Sequence, residues 1–289
     1  MNGNSIPQSI KSPLDGSELR LTWHDEFDGD KLNDKTWQLY DRMWAKNRVI
    51  TTTDPRNFAL ENGEAVMRTY REDGHYTSHK SLTTFDRMSF RYGFLEINAM
   101  VPFSRGAFPA FWLQSAWQHR SVDYMTEVDV FEVYKAGYVE STLHKWYLQD
   151  PVKGPHTRHD WNTPLPYTFP EAHWETLSHE YHRWGMLWVP EKIAITLDGE
   201  IIATYDITEA GDFREGLRTG DDLTGMGGFQ DPMIINFTNW VGSGFRDKAW
   251  VVGEGTELPL TFRVDWIRLY QSPDMGELFD DRASVGLSD

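Results

Sequence analysis

Short segments of alternating apolar and polar residues, cut off every few positions by turn formers, run through almost the whole chain. Long 3.6-residue periodicities are scarce. Alternation at period two is the mark of a strand with one buried face, because successive side chains point to opposite sides of the pleat. Asn62-Gly63 separates Phe58-Ala59-Leu60 from Ala65-Val66-Met67-Arg68, and Asp198-Gly199 separates Ile193-Ala194-Ile195-Thr196 from Ile201-Ile202-Ala203-Thr204-Tyr205. Both dipeptides suit the left-handed turns of two-residue hairpins. Further strands are expected at Tyr92 to Val101, Ala107 to Gln114, Thr126 to Tyr134, Tyr138 to Trp146, His182 to Val189, Met233 to Asn239 and Thr261 to Gln271. So many short strands with so little helix predict an all-β fold, a two-sheet antiparallel sandwich. Residues 147–180, rich in Pro, His and Trp, read as a long loop, and residues 207–228 as a second. Residues 1–20 read as an N-terminal segment, 21–271 as a single domain, and 272–289 as a loosely held acidic tail.

Composition narrows the function. The net charge of -16 over 289 residues argues against a general field for nucleic acid or anionic membrane. No apolar run approaches the ~18 residues of a membrane span. With no cysteine there is neither a disulfide framework nor a thiolate metal site. Met1 to Ser12 is polar and lacks the charged-then-apolar pattern of a signal peptide. The 13 Trp exceed what a core of this size needs, which predicts exposed rings able to stack on sugar faces or on a partner.

The most informative segment is Thr126-Glu127-Val128-Asp129-Val130-Phe131-Glu132-Val133-Tyr134. On a regular strand Glu127 and Asp129 share one face and Glu132 takes the other. One extra residue at Val130-Phe131, a β-bulge, brings Glu132 round to join them; such bulges re-aim side chains beside active sites. Two close carboxylates on one face suit a retaining glycosidase, which needs its acids ~5–5.5 Å apart, better than an inverting one at ~6.5–9.5 Å. Asp129 would position Glu127 through a shared proton or hydrogen bond. The plain alternatives are an acidic edge strand guarding against aggregation, or a carboxylate site for Ca²⁺ or Mg²⁺. Val128, Val130, Phe131 and Val133 argue instead for a buried central strand, where acids are costly unless they work.

At Glu127-Val128-Asp129-Val130-Phe131-Glu132 the chain resembles glycoside hydrolase family 16, whose signature is Glu-x-Asp-x-x-Glu or Glu-x-Asp-x-Glu. The resemblance extends in order through Trp23-His24-Asp25-Glu26-Phe27-Asp28-Gly29, Tyr76-Thr77-Ser78, Tyr92-Gly93-Phe94-Leu95-Glu96, Pro109-Ala110-Phe111-Trp112-Leu113, His144, Trp184-Gly185 with Trp188, and Val264-Asp265-Trp266-Ile267-Arg268-Leu269-Tyr270. It implies a concanavalin-like jelly roll with a sugar cleft on its concave sheet. It implies Glu127 as nucleophile, Asp129 as its assistant and Glu132 as acid/base, with Trp112, His144 and Trp240 lining the cleft. It further implies a structural Ca²⁺ at Asp265, no organic cofactor, and a monomer acting on polysaccharide in an extracellular or periplasmic setting.

Ser121-Val122-Asp123-Tyr124-Met125-Thr126 departs from the Trp-Pro and Gly-Glu that laminarinases carry before the first acid. The acid strand, and more loosely Asp41-Arg42-Met43-Trp44, is more similar to agarases and porphyranases. The expected substrate is therefore a red-algal galactan, with a β-1,3(4)-glucan or κ-carrageenan as alternatives and a non-catalytic lectin as the rival from another class. Trp44 and Trp146 join the expected sugar-stacking residues. Arg42, Arg48, Arg56, Arg105 and Arg120 are candidates for sulfate, which the planar guanidinium fork suits. His179-Glu180-Tyr181-His182 lacks the spacing of a zinc helix. Asp25, Asp28 and Asp30 read as a turn rather than a calcium loop, His75 and His79 as surface residues, and Asn236-Phe237-Thr238 as a buried strand.

Overall fold

The computed structural model describes residues 5–40, 49–119, 124–147, 158–207, 229–242, 251–253 and 255–287, with side chains at 124, 145–147 and 158–163 left aside. Two sheets face each other across one main apolar core. The first runs β17(Glu200–Asp206)-β16(Lys192–Leu197)-β15(Tyr181–Val189)-β10(Gly93–Met100)-β19(Leu260–Gln271)-β6(Ala65–Glu72)-β7(His75–His79)-β4(Val49–Thr52); β2(Glu18–Asp25) also pairs with β19, β1(Ser9–Lys11) with β2, and β5(Phe58–Leu60) with β6. The second runs β14(Arg158–Thr168)-β13(Tyr138–Tyr147)-β12(Tyr124–Lys135)-β11(Ala107–Ser115)-β18(Met233–Val241)-β8(Leu82–Thr83)-β3(Gln38–Leu39), and β9(Met88–Arg91) joins β18 to β20(Glu277–Asp280). The described pairings are antiparallel except that of β4 with β7.

Alternation decides which residues enter the core. Phe111, Leu113, Val128, Phe131, Leu143, Ile235 and Phe237 point from the second sheet toward Ile97, Trp184, Met186, Phe262, Val264 and Ile267 of the first. The Phe111 and Phe237 rings stack at 4.9 Å between centroids. Burying a large aromatic or aliphatic side chain contributes about 1.5–3 kcal/mol, so this interlayer dominates stability. Both expected hairpins form: Asn62, Gly63, Asp198 and Gly199 all adopt positive φ, as a type I′ turn requires.

Three expectations are corrected. Residues 158–168 are not loop: β14 pairs with β13 from Arg158 to Thr168. Pro164 and Pro166 disguised the strand, yet β14 lies at the sheet edge, where a missing N–H costs little. The tail is not loose, because β20 pairs with β9 and Asp281 is buried, with His119 Nε2 at 2.7 Å from its Oδ1. His79 is fully buried rather than on the surface; its Nδ1 lies against the Lys80 carbonyl, and burial pushes its pKa down to about 4. Within the N-terminal segment, β1 pairs with β2.

The turn joining β12 to β13 carries Gly137 at φ +66, where an added Cβ would sit 2.0 Å from Trp174 Nε1. That indole donates to the Phe169 carbonyl at 2.8 Å. Gly137→Ala is expected to cost about 1–2 kcal/mol through strain and displacement of Trp174, read as a lower urea midpoint; an unchanged midpoint would refute it.

Candidate active site

The acid strand β12 lies between β11 and β13, in the interior of the second sheet. Its register with β11 runs Glu127 to Gln114, Asp129 to Trp112, Phe131 to Phe111 and Glu132 to Ala110, and it shifts between Phe111 and Trp112. On the other side Glu127 pairs with His144, Asp129 with Thr142 and Glu132 with Glu140, so three steps along β12 match two along β13. Val130 is the extra residue. Val130 and Phe131 both enter the main core, and that is what returns Glu132 to the face of Glu127 and Asp129. The expected bulge is therefore present, at the expected place.

A bulge leaves backbone groups unpaired in the ladder. Here the Ser141 hydroxyl donates to the Asp129 carbonyl at 2.8 Å, and the buried Tyr205 hydroxyl from the opposite sheet donates to Ser141 at 3.1 Å. The kink is thus held from below by a polar link that crosses the core.

Above the sheet, Glu127, Asp129 and His144 are each less than a tenth exposed. His144 Nε2 lies 2.8 Å from Asp129 Oδ2 and 3.9 Å from Glu127 Oε1. One imidazole edge therefore faces both acids, which tempers the repulsion between two buried carboxylates. One donor atom from each of the three falls within 4.8 Å of the others, close enough to surround a cation. Glu132 is half-buried and accepts a hydrogen bond from the Tyr134 hydroxyl. The set offers one carboxylate held in a polar, buried frame and another on the same face with more access to solvent, which is the asymmetry that two-acid chemistry uses.

Cross-strand rows on this face place the other expected residues. Trp112 is buried between Asp129 and Asn236 in register. Trp240 is half-buried opposite Phe108, with ring centroids 6.4 Å apart. Phe108 in turn stacks on Tyr134 at 5.8 Å. Phe108, Tyr134, Tyr138 and Glu140 were not singled out from the sequence; the available signal was the alternation of Tyr138, Glu140, Thr142 and His144 along β13. Arg105 is exposed and its Nε donates to the Val251 carbonyl at 3.4 Å. Arg56 is tied to Asp54 and Glu72 on the surface. Arg42, Trp44, Arg48 and Arg120 lie outside the described residues, as does the side chain of Trp146, whose backbone is in β13.

Asp265 sits in the first sheet, at a bulge between the Asn98–Trp266 and Ala99–Val264 pairs, and accepts a hydrogen bond from Asn98 Nδ2 at 2.9 Å. Among the described residues, no cluster of three metal-capable side chains includes it. Asp25 accepts from the Phe27 N–H and the Trp37 indole, a turn as expected, and burial raises its pKa. A cavity of about 370 Å³ beside this turn, lined by Ile6, His24, Glu26 and Leu60 among others, is touched by none of Glu127, Asp129 and Glu132. No helix among the described residues is long and apolar enough to cross a membrane.

Comparison with known proteins bears on the same residues. The chain is 23% identical to a glucan endo-1,3-β-glucosidase A1 of Niallia circulans, over 91% of this chain and 40% of that protein. It is 23% identical to a keratan-sulfate endo-1,4-β-galactosidase of Sphingobacterium multivorum, over 89% of this chain and 56% of that protein. It thus spans less than two thirds of the length of either relative. The fold matches that of the endo-β-1,3-glucanase of Pyrococcus furiosus with a TM-score of 0.69 at 22% identity, covering 92% of this chain and 98% of the other. The family model described as glycosyl hydrolases family 16 matches residues 36–268, the span that holds most of both sheets and all three acids, and the chain belongs to that family.

Proposed function

We propose that this protein is a retaining endo-β-glycosidase that cuts a polysaccharide by double displacement. The observation that carries the reading is the bulge at Val130, which sets Glu127, Asp129 and Glu132 on one face of the sheet. Glu127 attacks the anomeric carbon while Glu132 gives its proton to the departing glycosidic oxygen. The glycosyl–Glu127 ester is then opened by water, whose proton passes to Glu132. Asp129, held by His144 at 2.8 Å, orients Glu127 and limits the cost of its charge. Trp112 and Trp240 supply apolar faces for sugar rings. The reaction needs no organic cofactor, and the enzyme works as a monomer outside the cytoplasm, where such polymers are met.

For the substrate we infer a β-galactan of the agar or porphyran type. Residues 121–126 depart from the laminarinase pattern, and one relative carries an endo-β-galactosidase name. A β-1,3-glucan is the second reading, supported by the names of the Niallia and Pyrococcus proteins. A reducing-end assay with product sizing across agarose, porphyran, κ-carrageenan, laminarin and lichenan tests both. Mid-chain cleavage of a galactan is expected. Cleavage of laminarin alone would move the assignment to the second reading, and sugar binding without cleavage of any polymer would leave a lectin-like module.

A further inference from the structure

Two acids and an imidazole converge on one point of the acid face. One donor atom each from Glu127, Asp129 and His144 lies within 4.8 Å of the other two. His144 Nε2 is 2.8 Å from Asp129 Oδ2 and 3.9 Å from Glu127 Oε1. Metal bonds of ~2.0–2.2 Å around a tetrahedral centre set donor atoms ~3.3 Å apart, and the two measured spacings straddle that value. All three residues are less than a tenth exposed, so packing fixes their places before any ligand arrives. The ionised carboxylates together bring two negative charges, which a dication matches.

A second observation points the same way. Gln114 is the cross-strand partner of Glu127 and is 1% exposed; its Nε2 lies against Met125 Sδ, and its Oε1 has no hydrogen-bond partner. Thr142 is the cross-strand partner of Asp129 and is fully buried, and its Oγ1 has no partner either. Buried polar atoms are costly to leave unpaired. Directly opposite residues share a face of the sheet, so both oxygens stand beside the carboxylates. There a cation, or water bound to it, would engage them, as polar groups around metal ligands commonly do.

We propose that Glu127, Asp129 and His144 form a binding site for a divalent cation of the zinc class, and that this cation shuts off hydrolysis by occupying the nucleophile. The shut-off rests on the reading of Glu127 as nucleophile; the binding does not. One imidazole nitrogen with two carboxylate oxygens suits zinc and its transition-metal neighbours. Calcium takes six to eight oxygens at ~2.3–2.6 Å, and magnesium keeps most of its water, so this small mixed set discriminates against both. The cation takes the place of the hydrogen between His144 Nε2 and Asp129 Oδ2. A Glu127 carboxylate coordinated to it has its lone pairs engaged, and the ion blocks the approach of the anomeric carbon.

The test uses the full chain, stripped with EDTA and dialysed free of it, with Zn²⁺ alone as the probe. Isothermal titration is expected to show one site per chain, weakened at least about 10-fold in His144→Gln and in Glu127→Gln, since even groups that only support metal ligands are worth that much. With the polysaccharide cleaved in the panel above, Zn²⁺ should raise KM and leave kcat at saturating substrate unchanged. Ca²⁺ and Mg²⁺ at the same concentration should do neither. Zinc bound by both variants as tightly as by the parent, or by the parent no tighter than about 1 mM, would overturn the proposal. So would zinc bound at this site with hydrolysis unaffected. If His144→Gln does not fold, the nearly isosteric Glu127→Gln decides. Failure of the underlying reading looks different: Glu127→Gln would then cleave the polysaccharide as fast as the parent, whatever the titration gives.

Discussion

Glu127→Gln is expected to fold as the parent does and to lose hydrolysis almost completely, with kcat on the preferred polysaccharide down by at least about 10⁴-fold. The substitution is nearly isosteric, so Trp112, Asp129 and His144 keep their places and binding should survive. What disappears is the nucleophile, and with it the covalent intermediate that divides the reaction into two accessible steps. Stability should hold or rise slightly, because Glu127 is 6% exposed and lies close to Asp129 across the His144 edge; neutralising one of two crowded buried acids relieves repulsion. The measurements are kcat, substrate affinity by titration, and the thermal midpoint. A variant keeping more than about 1% of the parent's kcat would remove Glu127 from the chemistry, since loss of a nucleophile is worth orders of magnitude more than that.

The largest effect on stability is expected at Phe131, directly beside the extra residue of the bulge. Its ring lies 4.7 Å from Trp184, 6.2 Å from Phe111 and 6.0 Å from Phe262, between the two sheets. Phe131→Ala would open a cavity in a close-packed layer and cost about 3–5 kcal/mol, a large share of the ~5–15 kcal/mol that holds a typical domain together. Activity should fall further than the folded fraction accounts for, because Phe131 anchors the kink that turns Glu132 toward Glu127. Urea unfolding gives the first quantity and activity per folded molecule the second. A loss under about 1 kcal/mol would mean that the bulge is held by Ser141 and Tyr205 rather than by core packing.

These two positions show how differently the parts of the molecule could be read beforehand. Strands with a clean two-residue alternation and glycine turns declared themselves, because the pleat alone decides which side chains are buried. β14 did not, because prolines that suit an edge look like breakers when the edge is unknown. The docking of residues 277–280 on β9 was also invisible: a polar segment becomes a strand there because an existing strand offers unpaired backbone groups. His79 was misplaced outside the core for a similar reason, since its burial depends on which strands close over β7.

The acids divide along the same line. Their identity, their spacing and even the need for an added residue at 130–131 follow from the order of amino acids, since the pleat repeats every two residues and Glu127 to Glu132 spans an odd number of steps. Which groups flank them does not follow from that periodicity, and His144 was legible only through the family resemblance. His144, Glu140 and Tyr138 reach Glu127, Asp129 and Glu132 only through the β12–β13 register, and Tyr205 comes from the other sheet, 64 residues away from Ser141 along the chain. Local sequence dictates backbone periodicity; the partners across a ladder or a core are chosen by long-range packing, and a burial or a charge pair exists only once that packing is made.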